Sequence, residues 1–409
     1  MKRSTGVYFG SYSLSLLGNG IASVMFPLLV LAETGDVLAA GVVASVTAAV
    51  AAVVGVLAGV VVDRVNRRTV SIVSDILSAS SVAALPIVDA LWGLNMTWFV
   101  VLAVIGAFGD APGMTARETL LPRLVQLKKG DQAGTLDRLV GIRESLAATL
   151  MLLGPGAGGL LVWLVGVSPQ AMIITAATSL LAALVSFGMP SEVGKVTAVE
   201  PASVGGVFSD LWVAWKFLFG HRLVLGTTLL TSVFVAVIAA LQTTIMPAYF
   251  TAEDLPGLTG LAISGIALGS LVGAGVYAAT VGRVSRRAWF VIGMIGTCIG
   301  FIVVGALPAP WAVLAATVFI GLTNGPMSAV LGVATIEATP DEMRGRVLGA
   351  QNALMLAAPA LTTAPIAALA SGYGLIAAGL AMAAVVVVTA VVALLAPAFR
   401  SLDRLDRSA

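Results

Sequence analysis

A series of long apolar runs is the feature that most constrains this chain. An α-helix needs about 20 mostly apolar residues to cross the hydrocarbon core of a bilayer. Twelve segments meet that requirement, at 6–32, 38–62, 69–91, 96–117, 138–166, 170–189, 222–250, 258–281, 287–306, 311–334, 347–371 and 374–398. They are too long for membrane β-strands and do not alternate in polarity. The sequence therefore predicts an all-α membrane protein with twelve transmembrane helices.

Composition agrees with this class and excludes others. Of the 409 residues, 59% are hydrophobic and 10% charged, too few charges to solvate the surface of a soluble body of this size. Cys298 and His221 are the single residues of their types, so we expect no intrachain disulfide and no metal site. The net charge of +2 gives no indication of a nucleic-acid partner.

The placement of charge predicts the topology. With the N-terminus inside, all 22 Lys and Arg residues fall in cytoplasmic connections or on the inner parts of helices. The connections assigned outside, 32–37, 90–95, 167–169, 251–257, 307–310 and 372–373, contain none. This asymmetry follows the positive-inside rule. We therefore expect a multi-pass protein of a bacterial cytoplasmic membrane, with both termini cytoplasmic and lipid as its surroundings.

A long inside connection divides the chain into 1–189, a linker at 190–221, and 222–409. The linker ends in an aromatic-rich stretch, 207–219, that also carries Asp210 and Lys216. Such a stretch is typical of an interfacial helix on the inner leaflet. The alternative is that it forms the first part of the seventh span.

The two halves share an internal repeat. Residues 62–68 and 281–287 follow the second span of each half and are identical at five of seven positions. Residues 138–146 and 346–354 match again at Arg, Gly and Leu. Six helices in each half make the repeat parallel, which predicts two six-helix bundles that rock about a central site. The alternative is that arginine-rich loops recur for topology alone.

The first repeated loop carries a family signature. Gly59, Asp63, Arg64, Arg67 and Arg68 resemble the G-x-x-x-D-R-x-G-R-[RK] motif of the major facilitator superfamily. Asn66 stands where the family has Gly, and we expect it to adopt the left-handed conformation that Gly supplies. Asp63 is predicted to bridge two helices and to hold an inner gate shut, with a simple helix-capping Asp as the alternative.

Further segments narrow the resemblance. Gly154, Pro155, Gly158 and Gly159 resemble the G-P-x-x-G-G core that marks the antiporter branch of that superfamily. Residues 112–122 and 341–347 are similar to bacterial exporters of the Tap-type multidrug, macrolide and enterobactin group. The resemblance implies a monomeric transporter without a cofactor that expels drugs, dyes or siderophores in exchange for protons.

Four ionisable residues within spans are candidates for proton coupling: Asp75, Asp110, Arg143 and Glu144. Inserting one charged side chain near the centre of a membrane helix costs about 2.5–3.5 kcal/mol, so we expect each of these residues to have a function. Asp110 and Glu144 are expected about 9–10 Å inside the inner boundary at 1.5 Å per residue. Arg143, at similar depth, can satisfy only one of them, leaving the other carboxyl to carry a proton. Asp75 either extends the gate or binds the proton, and a static structural network is the alternative for the others.

The corresponding positions of the second half are uncharged, so any proton site is expected in the first half. A set of polar, aromatic and Met side chains on spans 1, 7, 10 and 11 is predicted to line an adaptable substrate cavity: Tyr8, Tyr12, Asn19, Met25, Phe26, Gln242, Thr243, Met246, Tyr249, Asn324 and Asn352. Pro27 and Pro247 are expected to kink helices on the outer side.

These observations predict a secondary active transporter, a proton-coupled antiporter exporting a small amphipathic molecule. An uptake symporter or facilitator on the same fold is the nearest alternative. A membrane-embedded enzyme would need a reactive cluster, and the sequence offers no pair of histidines. An ATP-driven pump would need G-x-x-x-x-G-K-[ST], which the chain lacks.

Overall fold

A computed structural model describes residues 2–126, 133–195 and 204–402, and these contain helices and no strand. The helices are α1 (Lys2–Thr34), α2 (Val37–Arg64), α3 (Arg67–Trp92), α4 (Met96–Gln126), α5 (Ala133–Val165), α6 (Met172–Ser186), α7 (Val204–Gly220), α8 (Arg222–Ala240), α9 (Met246–Ala252), α10 (Leu258–Thr280), α11 (Arg286–Ala306), α12 (Pro310–Ala338), α13 (Arg344–Tyr373) and α14 (Leu375–Leu395). Short 3-10 turns occupy Ser191–Gly194, Asp341–Met343 and Pro397–Ser401.

Each of the twelve predicted spans corresponds to an apolar helix. Within the described ranges, eleven helical stretches have the length and composition to cross a membrane, including α8 and α9 as one stretch, Arg222–Ala252. The sixth predicted span, 170–189, is the 15-residue helix α6, about 22 Å long at 1.5 Å per residue. The all-α membrane fold class is confirmed.

A π-turn at Leu241–Ile245 joins α8 to α9 and contains Gln242 and Thr243. Pro247 follows immediately, at the start of α9. Proline has no backbone N–H to donate to the preceding turn, so a regular α-helix is hard to form just before Pro247. The π-turn, with its wider i to i+5 hydrogen bonds, lies at this point. Pro27 lies inside the continuous helix α1.

The chain divides into two compact units, Met1–Val199 with Leu255–Gly260, and Glu200–Asp254 with Leu261–Ala409. In the first unit, α1 packs against α5 and α6, and α4 packs against α2 and α3. Small residues let these helices approach: a Cβ added at Gly20 of α1 would lie 2.7 Å from the Gly154 Cα of α5.

In the second unit, α11 packs against α12 and α14, and α13 packs against α8. The aromatic stretch of the linker is the separate helix α7, which contacts α8 and α13. His221 ends it with extended backbone, and its Nδ1 accepts a hydrogen bond from the Val224 amide at 3.4 Å as the N-cap of α8. The alternative that this stretch begins the seventh span is therefore wrong.

Candidate functional site

A buried ion pair joins α3 and α4 in the first unit. The guanidinium of Arg117 contacts the carboxylate of Asp75, and each side chain is 4% exposed. The hydroxyl of Ser15 on α1 donates to Asp75 Oδ1 at 3.3 Å and accepts from Arg117 Nη1 at 3.0 Å. Three helices thus meet at one pair of opposite charges, shielded from solvent.

Tyr8 on α1 binds the backbone of Arg117 on α4. Its hydroxyl donates to the Arg117 carbonyl at 3.0 Å, and its ring stacks on Tyr12 with centroids 6.1 Å apart. Tyr8 also belongs to an apolar cluster with Leu120, Leu121, Leu124, Met189 and Val193. The tyrosine that binds the backbone of Arg117 is therefore itself fixed by apolar packing.

Asp110 lies seven residues before Arg117 on α4, beside the hydroxyl of Ser78 on α3. Close helix packing brings it there, because a Cβ at the neighbouring Gly109 would lie 2.8 Å from the Ser74 carbonyl oxygen. Asp110 interacts electrostatically with both Asp75 and Arg117. Asp75 and Asp110 consequently share Arg117, whereas the sequence predicts that Asp110 and Glu144 share Arg143.

The fourth predicted span ends at residue 117, whereas α4 continues to Gln126 and Arg117 is buried. Asp75 was expected either in the gate or at the proton site. Its carboxylate contacts Arg117 and Ser15, and no pairing with the loop arginines is found within the described residues. Both roles of Asp75, in the gate and at the proton site, stay predictions.

Arg143 satisfies one carboxylate, as expected, and that carboxylate is Glu144. The two side chains of α5 form an ion pair at 2.5 Å, with Arg143 18% and Glu144 62% exposed. Arg143 also interacts electrostatically with Tyr8 and Tyr12. The pair thus lies beside the buried cluster, with its acidic member turned outward.

Glu144 belongs to an exposed face of α5 that has a repeat counterpart. Arg138, Gly141 and Glu144 are exposed on α5, and Arg346, Gly349 and Asn352 are exposed at the matching positions of α13. On α5 an open groove of about 480 Å³ is lined by Arg138, Gly141, Ile142, Ser145, Leu146 and Thr149. A carboxylate on a lipid-facing surface would be costly, so this face of α5 is suited to a water-accessible path.

The predicted gate motif spans the end of α2, the connecting loop and the start of α3. Asp63 is 73% exposed and lies 3.7 Å from Arg67. Arg67 donates to the Thr119 carbonyl of α4 at 3.4 Å, and Arg68 donates to the Phe187 carbonyl beyond α6 at 2.7 Å. Arg64 lies at the end of α2 and is exposed. The arginines, more than the exposed carboxylate, tie this loop to neighbouring helices.

Asn66 does not adopt the expected left-handed conformation. Its φ is −57°, and its side chain caps α3 by accepting from the amides of Arg68 and Thr69. Its amide nitrogen donates to the Ser191 carbonyl at 3.0 Å. A glycine cannot make these side-chain bonds, so Asn66 gives this loop an attachment to the start of the linker.

The second unit repeats the loop contact with a different partner. Arg286, the counterpart of Arg67, forms a bidentate salt bridge with Glu337 of α12. Its Nη1 and Nη2 atoms donate to the two carboxylate oxygens at 2.7 and 3.0 Å. Sequence reasoning missed Glu337, because it lies at the end of a span where single charges are common. In each unit, then, a loop arginine reaches the fourth helix of its own repeat.

The predicted antiporter motif makes close helix contacts on α5. A Cβ at Gly154 would lie 2.9 Å from Gly20 Cα, and one at Gly158 would lie 3.0 Å from the Ile21 carbonyl oxygen of α1. A Cβ at Gly159 would lie 2.3 Å from the Gly257 carbonyl oxygen, and one at Gly260 2.2 Å from that of Pro155. The motif therefore allows backbone to pack on backbone at two places.

The predicted cavity residues have unequal exposure. Buried members are Tyr8, Tyr12, Met25, Met246 and Tyr249; half-buried members are Asn19, Phe26, Gln242, Thr243 and Asn324. Asn352 is exposed, whereas its neighbour Gln351 is buried and donates to Thr228 at 2.5 Å. The Oδ1 atom of Asn324 is buried without a hydrogen-bond partner. Contact of these residues with a substrate stays a prediction.

Ser15, Ser78 and Arg117 are site residues that sequence reasoning missed. Serines are common in membrane helices, so Ser15 and Ser78 carried no distinguishing signal. Arg117 did carry one, because it falls within the segment 112–122 that was singled out for resemblance.

Comparison with known proteins identifies relatives over the whole chain. A family model described as Major Facilitator Superfamily matches residues 8–276 and 242–408. The multidrug efflux pump Tap of Mycolicibacterium fortuitum is 32% identical over 396 residues, which cover 94% of each chain. Tap of Mycobacterium tuberculosis (strain ATCC 25618 / H37Rv) is 32% identical over 395 residues, covering 95% of this chain and 92% of Tap.

Solved structures share the fold at low sequence identity. The peptide transporter POT superposes with a TM-score of 0.77 at 14% identity, covering 98% of this chain and 95% of that one. The nucleoside transporter NupG superposes with a TM-score of 0.75 at 12% identity, covering 98% and 99%.

Proposed function

Because this chain belongs to the major facilitator superfamily, we propose that it is a proton-coupled antiporter that exports a small amphipathic molecule by alternating access. The chain is a multi-pass membrane transporter and not an enzyme, and members of this superfamily need no cofactor. We further propose a bacterial cytoplasmic membrane with both termini in the cytoplasm, as the distribution of Lys and Arg predicts.

The observation that carries the proposal is the buried pair of Asp75 and Arg117 with the half-buried Asp110 beside it. One guanidinium cannot fully neutralise two carboxylates in a region of low polarity. Arg117 contacts Asp75 directly, and Asp110 lies beside the neutral hydroxyl of Ser78. Asp110 is therefore our candidate for the group that binds and releases the proton.

Substrate and proton would meet through α5. Glu144 is exposed on α5, and its partner Arg143 interacts electrostatically with Tyr8 and Tyr12. Tyr8 holds the carbonyl of Arg117. A substrate that displaces Arg143 from Glu144 would thus change the electric field at Arg117, and so the balance between its two acids.

The direction of transport rests on the relatives. Both Tap proteins are named efflux pumps, and each aligns over more than nine-tenths of this chain. Packing at Gly154 and Gly159 agrees with the antiporter motif, but it does not distinguish export from import. Export is therefore proposed by analogy with the Tap proteins, and the direction of flux in vesicles tests it.

The test is flux in inside-out vesicles with an imposed pH gradient, using ethidium as an amphipathic dye. We expect gradient-driven uptake by the parent and none with Asp110→Asn or Asp75→Asn, with Glu144→Gln reduced. Glu253→Gln changes an exposed acid on an outside connection and serves as the matched control. Equal gradient-driven flux in both aspartate variants would refute the proton site. Equal flux without any gradient would indicate a facilitator.

A further inference from the structure

Helix α7 has two faces of different character. Ala214 and Leu218 are fully buried and pack against Val224 of α8 and against Val347 and Ala350 of α13. Trp215 and Phe217 flank this contact. One side of α7 is therefore fixed to the body of the second unit.

The opposite face of α7 exposes large apolar side chains around one cation. Trp212 is 73% exposed, Phe219 59% and Val213 42%, and Lys216 is exposed between them. Residues 212, 216 and 219 are spaced by four and three, so they lie along one side of a helix. Exposed aromatics around a flexible Lys are typical of a helix at a membrane interface, where the aliphatic part of Lys contacts lipid and its ammonium reaches the headgroups.

The packing of α7 gives its level relative to the bilayer. Val224 lies in the first turn of α8 and Val347 in the first turn of α13, and both helices belong to membrane-spanning stretches. The ends of spans lie where hydrocarbon meets headgroups, the region that Trp prefers. A helix packed across two such ends therefore lies at that boundary.

The charges on this part of the unit are suited to anionic lipid. Lys216 on α7, Arg222 at the start of α8 and Arg346 at the start of α13 are all exposed. Of the acids at the start of α13, Asp341 pairs with Arg344 at 2.5 Å, and Glu342 is exposed. Basic residues near an anionic leaflet each favour its lipids by about fivefold.

We propose that α7 is a lipid-docking element: its Trp212–Phe219 face inserts among the acyl chains of the inner leaflet, and Lys216 and Arg222 bind the phosphate of an anionic phospholipid. Docking would also act on α13, which carries the predicted cavity residue Asn352, because the buried face of α7 packs against Val347 and Ala350 of that helix. The next two residues of α13 are Gln351, which donates to Thr228, and the exposed Asn352. Anionic lipid thereby stabilises the position of α13.

The first test measures insertion. In the full-length protein with Cys298→Ser, the cysteine of Phe219→Cys is labelled with an NBD fluorophore and the protein is placed in lipid nanodiscs. Glu342→Cys, on an exposed polar turn of the same unit, is the matched control. We expect doxyl-labelled lipid to quench the label at 219 and aqueous iodide to quench the label at 342. Equal iodide quenching at both positions would overturn the proposal.

The second test measures lipid preference at the same label. We expect doxyl-phosphatidylglycerol to quench the label at 219 several times more strongly than doxyl-phosphatidylcholine at equal mole fraction. Lys216→Gln with Arg222→Gln should bring that ratio to one, and Lys216→Arg with Arg222→Lys should restore it. Both substituted residues are exposed, and size-exclusion profiles check folding. A ratio of one in the parent, or a ratio unchanged by neutralisation, would overturn the proposal, whatever the result for proton coupling.

Discussion

Replacing Asp75 by Asn leaves the Arg117 cation buried without its partner. Removing one member of a buried ion pair destabilises proteins by about 3–5 kcal/mol. Ser15 still contacts Arg117 at 3.0 Å and Asp110 still contributes its field, so we expect a value near the lower end. At roughly 2–4 °C per kcal/mol for a unit of this size, the melting temperature should fall by about 6–12 °C.

A charge-neutral double variant separates the ion pair from packing. Asp75→Leu with Arg117→Met removes both charges, and replacing a buried pair by apolar groups is often neutral or stabilising. We therefore expect the double variant to melt close to the parent while losing proton-driven transport. Thermal unfolding of the purified protein, followed by circular dichroism, gives the comparison.

The matched control for this experiment is Asp63→Asn. Asp63 is 73% exposed and 3.7 Å from Arg67, so its loss should change stability by no more than about 1 kcal/mol. If Asp75→Asn melts with the parent, or if the double variant is less stable than the single one, the reasoning from a buried, paired charge is refuted.

Two further predictions concern helix ends and helix contacts. Asn66→Gly should lower stability by about 1 kcal/mol, because the cap and the bond to Ser191 are both lost; an unchanged melting temperature would contradict this role. Gly20→Ala should destabilise by about 1–3 kcal/mol, since its Cβ would lie 2.7 Å from Gly154 Cα. Gly141→Ala is the control, as no atom lies within 4 Å of its added Cβ, and an equal loss in both variants would argue against close packing.

Much of the fold could be predicted because its physical causes are local. Span length follows from bilayer thickness, so helices such as Pro310–Ala338 were anticipated to within a few residues. The aromatic stretch that became α7 was recognisable from its composition. The arginine loops were recognisable from their repetition in the two halves.

The candidate site could be predicted only in part, because its partners come from different helices. Asp110 was anticipated as an acid beside a shared base, but its partners Asp75 and Arg117 were not, since a charged residue near a span end is ordinarily at the water boundary. Arg117 is buried because α4 extends beyond it and Asp75 offers a paired carboxylate. Asn66 took a capping role because its side chain can accept from amides, which competes with the left-handed conformation.

Substrate-driven proton movement in proteoliposomes measures the proposed exchange of substrate for protons. With a pH-sensitive dye trapped inside and the membrane potential clamped by potassium and valinomycin, ethidium leaving the lumen should draw protons in and acidify it. Asp110→Asn should abolish the acidification while its helices and folding remain intact. Ethidium efflux by the parent without any change in lumenal pH would rule out proton exchange. Acidification by Asp110→Asn equal to that of the parent would rule out Asp110 as the proton-binding group.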